Sequence, residues 1–425
     1  MIKQMGLDDF FHKRGVMIWC AWIGLCSPAA VYAQAAPFDE IKQTSYAKRT
    51  APHSHTHSAG EIDENQAPVI VDVTYTFDLW RAARGGNARG NRYIDNLDVV
   101  AEADLDRLIG WNGAKVHVYG LYNNGRSLGE LLGDAQATSN IETGTKAVRL
   151  YEAWIDQKIG GLASVKVGLY DLNSEFDNLD SAGLFMGSAH GVGTDISQSG
   201  LNGPSIFPNT SLGVRIALQP AKNWVVRAAV LDGVPGDPAR PERTAIKLGN
   251  GDGALMIGEL EASFGDGKLL FGHWRYTGTF DNFSGSRGRG NHGSYVRGEA
   301  YLTHESDDPQ QGLAAFFRLG IADGRYNMFG SFIGGGLNYT GLIKGRDKDQ
   351  FGLGIAAALT SSRYRLANMS TKGEVALELT YRAQLTHWLT VQPNIQYVIS
   401  PSASPILRNP LAYGLRTEFT YRFSS

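Results

Sequence analysis

The feature that most constrains this chain is an alternation of apolar and polar residues that recurs along most of its length. Between Val69 and Leu79 the odd-numbered residues are apolar or aromatic, and polar residues such as Asp72, Thr74 and Asp78 separate them. Successive side chains of a strand point to opposite faces, so this pattern predicts a strand with one apolar and one polar side. Sixteen segments follow the pattern, at 69–79, 93–105, 114–122, 147–157, 163–170, 211–219, 223–231, 254–264, 268–277, 293–303, 313–321, 330–342, 350–360, 373–385, 389–399 and 412–423.

The predicted strand lengths and connections indicate a membrane barrel. Most predicted strands have about 9–13 residues, enough to cross a bilayer at a steep tilt. Long and short connections alternate, as in barrels with loops at one end and tight turns at the other. A soluble barrel of sixteen strands would leave a lumen too wide for an apolar core. We therefore predict an all-β fold, a transmembrane antiparallel β-barrel of 16 strands with short periplasmic turns and long extracellular loops.

The N-terminal residues have the composition of an export signal. Basic Lys13 and Arg14 precede an apolar run at 15–25, and Ala33 ends a small-x-Ala cleavage motif. The chain has two cysteines, both within this segment, so the mature chain would form no disulfide. Residues 1–33 are predicted to be a signal peptide, followed by a flexible periplasmic N-terminal extension at 34–68 and an outer-membrane barrel domain at 69–425.

The extension contains a short histidine pattern. His53, His55 and His57 alternate with Ser54 and Thr56. Three histidines could bind a metal weakly, but nothing nearby supplies a defined coordination geometry, so a solvated linker is favoured. We expect no metal and no cofactor.

Charge and hydropathy exclude other classes of protein. Lys plus Arg number 40 and Asp plus Glu number 42, a balance that disfavours a nucleic-acid partner. After residue 33 no run approaches the ~18 consecutive apolar residues of a transmembrane helix. The mean hydropathy of −0.22 fits an average over one lipid-facing and one water-facing side.

Several motifs resemble those of one known family. They are the segment Gly336–Ile343 continuing to Ile355, Val167–Asp171 followed by Asn173–Phe176, Gly203–Ser205 with Phe207–Pro208, Leu231–Gly236, and Glu378–Arg382 leading to Trp388 and Gln396–Tyr397. In their order, and over roughly 69–423, they resemble the carbohydrate-selective porin (OprB) family. The resemblance implies a sixteen-stranded channel in the outer membrane of a Gram-negative cell. Glucose and related monosaccharides would diffuse through it passively into the periplasm. The barrel would lie in outer-membrane lipid as a monomer or homotrimer.

The polar faces of the predicted strands supply candidate pore-lining residues. Sugars are neutral and rich in hydroxyl groups, with apolar ring faces, so a sugar pore should offer both signs of charge and aromatic faces. The near balance of charge does not favour an anion pore, which would have an excess of Arg and Lys. The candidates are Asp98, Glu102, His273, Arg275, Tyr295, Arg297, Glu299, Tyr301, Arg318, Arg416, Glu418 and Arg422. For any one of these residues, a merely solvated lumen wall is the simpler interpretation.

The 40-residue connection 171–210 is predicted to narrow the channel. Long connections in compact folds are usually functional, and six glycines make this one able to fold back into the lumen. Phe176, Phe185 and Phe207 are predicted to pack it against the wall, with contact to a sugar ring as the alternative.

An enzyme or an export outlet is the rival interpretation. An outer-membrane barrel can be a lipid or sugar-ester hydrolase, or an outlet for polysaccharide. No Gly-x-Ser-x-Gly motif occurs in a strand–helix context, and Gly85–Gly90 lies between predicted strands with no helix after it. We therefore predict a channel without catalytic residues.

Overall fold

All sixteen predicted segments are strands in the computed structural model, which describes residues 67–249, 251–305, 308 and 310–424. The barrel strands are β1 (Val69–Gly86), β2 (Gly90–Asp104), β3 (Ala114–Gly125), β4 (Ala147–Ile159), β5 (Ala163–Tyr170), β6 (Ser211–Ala221), β7 (Trp224–Asp232), β8 (Ala254–Phe264), β9 (Gly267–Tyr276), β12 (His292–His304), β13 (Gly312–Ala322), β14 (Phe329–Thr340), β15 (Gln350–Thr360), β16 (Gly373–Gln384), β17 (Leu389–Ile399) and β18 (Arg408–Ser424). A separate hairpin is formed by β10 (Thr279–Asp281) and β11 (Arg287–Arg289).

The barrel is closed and antiparallel throughout. Each strand pairs with its neighbours along the chain, and β1 also pairs with β18, where Asp78 lies opposite Arg416. This last pairing supplies hydrogen-bond partners for the backbone groups that an open sheet would leave unpaired at its edges. A sheet can cross a bilayer only when these groups are paired. The predicted sixteen-stranded antiparallel barrel is confirmed.

The first connection differs from the prediction. β1 continues to Gly86 and β2 begins at Gly90, so only 87–89 separate them, whereas the sequence predicted a longer connection from 80 to 92. The polar residues Arg81, Arg84 and Arg92 interrupt the alternation there. These residues still belong to the β-sheet, because strand pairing depends on backbone hydrogen bonds and not on side chains.

The connections form two sets, one at each end of the barrel. The short-connection end carries 105–113, 160–162, 222–223, 265–266, 305–311, 341–349 and 385–388. The long-connection end carries 87–89, 126–146, 171–210, 233–253, 277–291, 323–328, 361–372 and 400–407. The helices are short and lie in these connections. They are α1 (Leu105–Ile109), α2 (Gly129–Leu132), α3 (Ser188–Gly191), α4 (Thr194–Ser197) and α5 (Ser362–Asn368), with 3-10 turns at Leu172–Ser174, Ser181–Leu184 and Pro401–Ala403.

The two faces of the wall have opposite polarity. On the outer face large apolar side chains are exposed, for example Leu79 at 49% and Phe271 at 52%. On the inner face polar side chains are buried, for example Thr74 and Asp98 at 2% each. A water-soluble barrel has the reverse arrangement, so this wall is suited to lipid outside and a polar interior. No helix in the described part of the chain is long and apolar enough to cross a bilayer.

Three tryptophans mark one rim of the barrel. Trp111, Trp224 and Trp388 are all exposed by more than 40%, and all lie in or beside connections of the short-connection end. Tryptophan is enriched at membrane interfaces, which fits this position. Trp80, which follows the predicted strand 69–79, instead points inward, and its ring nitrogen donates to Asp78 at 3.2 Å.

The predictions for the N-terminal residues lie outside the described part of the chain, apart from 67 and 68. The signal peptide at 1–33, the extension at 34–68 and the histidine pattern therefore remain predictions.

Candidate functional site: the lumen and its inner loop

The connection 171–210, here called the inner loop, lies inside the barrel and is bound there through its backbone. Glu299 on β12 accepts hydrogen bonds from the N–H of Ser181 at 2.7 Å and from its hydroxyl at 2.6 Å. Glu378 on β16 accepts from the N–H groups of Met186 at 2.7 Å and Gly187 at 2.9 Å. Hydrogen bonds to an ionised acceptor are about twice as strong as neutral ones. The two glutamates thus hold the middle of the inner loop against β12 and β16.

Two arginines bind acidic side chains of the loop in a buried charge cluster. Arg318 on β13 donates to Asp195 at 2.5 Å and to Asp177 at 2.8 Å, and Arg297 on β12 donates to Asp177 at 2.9 Å. All four side chains are at most 2% exposed. Removing one partner of a buried ion pair costs about 3–5 kcal/mol, because the other charge stays buried without compensation. This cluster is therefore the strongest attachment of the loop.

Glycines in the wall make room for the loop. A Cβ atom at Gly352 would lie 2.7 Å from the Leu184 side chain, and one at Gly354 would lie 2.7 Å from the His190 ring. Phe185 contacts both positions, and its ring centroid lies 4.6 Å from that of His190. The glycine-rich sequence of β15 therefore provides a flat surface on which loop side chains pack.

The first turn of the loop joins a second charge network on the β4–β6 wall. Glu175 accepts from Lys166 at 2.9 Å and from Arg215 at 2.7 Å. Burial opposes ionisation of Glu175, but the two cations hold its pKa well below the ordinary value. Asp171 lies next to Glu152, and burial together with that carboxylate raises the pKa of Asp171 to about 7.

His190 of α3 is kept neutral inside the barrel. It is 4% exposed, and burial together with the positive charge of Arg297 lowers its pKa to about 3. Its Nε2 lies 3.6 Å from Glu378, but that carboxylate already accepts two loop amides and the side-chain amide of Asn394. Glu378 is thus engaged elsewhere and the imidazole packs as an uncharged ring.

The connection 126–146 contacts both the inner loop and the barrel wall. Ala135 and Gln136 donate backbone N–H groups to Glu374 on β16, at 2.8 Å and 3.0 Å. The N–H of Asn140 donates to the carbonyl of Met186 at 2.8 Å. The two connections are therefore hydrogen-bonded to each other inside the barrel and share β16 as an attachment.

Four of the predicted site residues meet the inner loop. Arg297, Glu299 and Arg318 bind it directly, and Tyr295 donates to Glu259 at 2.5 Å while its ring lies 5.2 Å from the Arg318 guanidinium. Tyr295, Arg297 and Arg318 are at most 2% exposed, so they have no surface for a solute. They position the loop, a role that the sequence did not predict.

Two predicted residues, Asp98 and Glu102, both lie on β2 and contact side chains of β3. Asp98 accepts from Asn96 and from Tyr119, both at 2.6 Å. Glu102 lies further along β2 on the same face. It is 3.0 Å from His117, and its side chain is 40% exposed. Glu102 is therefore among the more accessible acidic groups of the inner face.

Three predicted residues on β18 form a series of ion pairs that we call the wall ladder. Arg416 binds Asp78 at 2.7 Å, and Arg422 binds Asp72 at 2.6 Å. Glu418 accepts from Arg382 on β16 at 3.0 Å. The ladder consists of Asp72, Asp78, Arg382, Arg416, Glu418 and Arg422.

The prediction that His273 and Arg275 line the pore is corrected. Both are exposed on the outer face of β9, where they share a side with Phe271, while Trp274 and Tyr276 point inward. The interior is apolar at this height because Phe176 and Ile196 of the inner loop pack there, which reverses the usual polarity of the strand. Tyr301 continues the inward series of β12, but it is 41% exposed near the short-connection end and stacks on His304 at 4.8 Å.

The phenylalanines of the loop pack. Phe176 and Phe185 are buried, and the Phe207 ring lies 6.2 Å from that of Tyr151. Among the interior groups that the sequence analysis did not single out as site residues are Asp177, Asp195, Glu259, Glu374 and Glu378. One signal was present, because the loop carries aspartates while the facing strands carry Arg297 and Arg318.

Comparison with known proteins agrees with this architecture. Residues 88–421 match the model of the carbohydrate-selective porin, OprB family. The chain is 25% identical to Porin B of Pseudomonas aeruginosa over 382 residues, covering 78% of this chain and 82% of that protein. It is 24% identical to the putative porin QuiX of Acinetobacter baylyi over 359 residues, covering 72% and 78%.

A solved structure has the same fold. The high-pH structure of Pseudomonas putida OprB superposes with a TM-score of 0.75 at 21% identity, covering 83% of this chain and 94% of that one. The low-pH structure of that protein gives a TM-score of 0.57 at 19% identity, covering 88% and 99%. The barrel is a sugar porin of the outer membrane, and the chain belongs to the carbohydrate-selective porin (OprB) family.

Proposed function

We propose that this porin passes small neutral sugars such as glucose by passive diffusion into the periplasm. Its long-connection end would face the cell exterior and its short-connection end the periplasm. The observation that supports the neutral-sugar preference is the charge compensation of the lumen. Seven inward-facing arginines each lie within 3.0 Å of a carboxylate oxygen, and they are Arg215, Arg227, Arg297, Arg318, Arg382, Arg416 and Arg422.

Compensated charges favour neutral, hydrogen-bonding solutes. A pore for anions needs a ring of cations whose field extends into the water, and paired arginines have little such field. Arg149 differs from the seven, since it donates to the Asn123 side chain and to the carbonyl of Pro241. Side-chain oxygens and N–H groups around the lumen remain able to replace the water of a sugar hydroxyl.

The solute path follows the partly exposed groups of the inner face. Among the predicted residues, Glu102, Glu418 and Arg422 keep accessible polar atoms. Arg297 and Arg318 instead set the width of the path, because they determine where the inner loop lies. The lumen would therefore be narrowed by the loop and lined by the opposite part of the wall.

Uptake of three solutes of similar size would test this function. Liposomes containing the purified barrel should take up glucose several-fold faster than gluconate, its anionic counterpart, or glucosamine, its cationic counterpart. Single-channel conductance in a planar bilayer should fall as glucose is added. Equal or faster uptake of either ion would contradict the neutral-sugar preference. Hydrolysis of sugar or lipid esters without conductance would contradict the channel itself.

Cysteine labelling would test the orientation. The two native cysteines lie in the predicted signal peptide, so single cysteines can be introduced as Ser284→Cys at the long-connection end and Lys222→Cys at the short-connection end. Both positions are exposed. A membrane-impermeant maleimide should label only the first variant on intact cells and both after lysis. Labelling of only the second on intact cells would reverse the orientation.

A further inference from the structure

The outer face of β9 and β12 carries cations close to the long-connection end. His273 and Arg275 on β9 and His292 on β12 are all exposed on that face, and Arg275 lies directly opposite His292. β9 ends at Tyr276, one residue beyond Arg275. Because a strand rises about 3.3 Å per residue, these side chains lie at the rim and not at the centre of the bilayer. Charged groups on a lipid-facing surface are tolerated at this level, where lipid headgroups lie.

Arg275 has no neutralising partner among the residues that the structure describes. Its guanidinium makes no hydrogen bond and no ion pair with residues in the described part of the chain. One carboxylate borders this patch: Asp323 lies 3.7 Å from His292 and is bound by Arg325 at 2.5 Å. His273 lies 2.9 Å from the hydroxyl of Ser294, and its ring centroid is 6.2 Å from that of His292. The patch therefore keeps an uncompensated positive charge, unlike the arginines of the lumen.

On the same face, a strip of small residues, here called the apolar recess, lies level with His273 and two residues further from the rim than Arg275. His273 is opposite Gly258 on β8, and Gly258 is opposite Ala228 on β7, so two adjacent positions have little or no side chain. Exposed Met256 and Phe271 border this recess. The surface thus combines a cationic rim with a shallow apolar channel, which matches an anionic headgroup above an acyl chain.

We propose that this patch binds a phosphorylated lipid of the surrounding leaflet, with its phosphate on Arg275 and its acyl chain over Gly258 and Ala228. A second copy of this chain would need a complementary acidic surface at the same height. A free phosphate ion would make no use of the recess. The cation and the recess together therefore favour a lipid.

Native mass spectrometry of the detergent-purified barrel with added lipid A would test the proposal. Wild type should bind bis-phosphorylated lipid A more tightly than enzymatically dephosphorylated lipid A. Arg275→Gln should weaken binding roughly fivefold, the usual effect of one cation near an anionic membrane surface, and Arg275→Lys should largely retain it. Arg81→Gln is the matched control, since Arg81 also points outward at this end but donates to Asn91 at 3.0 Å.

Four outcomes would overturn the proposal. Equal binding of both lipid A forms by wild type would leave only an apolar surface, and this comparison requires no variant to fold. Unchanged lipid A binding by Arg275→Gln would exclude the assigned phosphate contact. Displacement of lipid A by millimolar inorganic phosphate would indicate a simple anion site. Loss of an oligomer in Arg275→Gln, without loss of lipid, would indicate a second copy of the chain as the occupant.

Discussion

The charge cluster beneath the inner loop and the wall ladder are built from the same residue types but do different work. In the cluster, Arg318 binds two aspartates of the loop and all three groups are almost fully buried. In the ladder, Arg422 binds Asp72 of the adjacent strand, and both keep 12–17% of their side chains exposed. The cluster links segments distant along the strand order, whereas Arg416 and Arg422 of the ladder bind aspartates of β1, a strand that the backbone already pairs with β18. The difference shows that an inward-facing arginine in this barrel can attach a loop or compensate charge along the path.

The largest effect is expected from breaking the cluster. Arg318→Met should release the inner loop, because Asp177 and Asp195 would remain buried without a counter-charge, at a cost of about 3–5 kcal/mol. Single-channel conductance should rise, and limited proteolysis should cut within 171–210. Arg422→Met is the matched control in the ladder and should leave proteolysis unchanged. A protected loop in Arg318→Met would refute the role assigned to the cluster.

Filling the glycine surface should displace the loop with its charges intact. Gly354→Val would place methyl groups in the space of the His190 and Phe185 rings, and overpacking of this kind costs about 1–3 kcal/mol. Conductance should rise or become noisy. Gly120→Val, on the outer side of β3, is the matched control, because the atom nearest to an added Cβ there is the Val99 carbonyl oxygen at 3.9 Å. If Gly354→Val conducts like wild type, the ring contacts do not position the loop.

Acidification should loosen the loop through His190. Its pKa of about 3 lies below the ordinary value of about 6.5, so the unfolded segment binds the proton more readily and stability falls as the pH drops through 6.5 toward 3. Each pH unit in that window should cost on the order of 1 kcal/mol. Asp171 acts in the opposite sense. Its pKa is raised to about 7, so the folded state keeps a proton that the unfolded state releases, and stability is lost as the pH rises through 7.

The variant His190→Gln separates these two contributions. Conductance or proteolysis measured from pH 7 to pH 4 should be more acid-sensitive in wild type than in the variant. An identical pH profile for both proteins would show that His190 does not bind its proton on release of the loop.

The smallest effect on stability is expected in the ladder. Arg422→Gln should change the free energy of unfolding by less than about 1 kcal/mol, as for other partly solvated pairs. It would leave the charge of Asp72 uncompensated beside the path, so the channel should become more cation-selective. The reversal potential in a potassium chloride gradient measures this shift. A shift toward anions would contradict the compensation argument.

The barrel was predictable from sequence because alternation is a local property, repeated in every strand. The boundaries of β5, β8, β15 and β17 agree with the predicted ranges. The interior was less predictable, because it depends on contacts such as Asp177 with Arg318, 141 residues apart. His273 and Arg275 were misplaced for the same reason. The rule that polar residues face the lumen fails where a loop supplies an apolar interior.

The binding of loop amides by Glu299 and Glu378 has a consequence for engineering and divergence. These carboxylates contact the backbone of residues 181, 186 and 187. At 181 and 186 every amino acid except proline can present an N–H group to them, whereas at Gly187 a Cβ atom would lie 2.9 Å from the Glu378 carboxylate. The attachment therefore does not depend on the exposed neighbouring side chain of Asp180, and selectivity could be redesigned by varying that residue on an unchanged barrel.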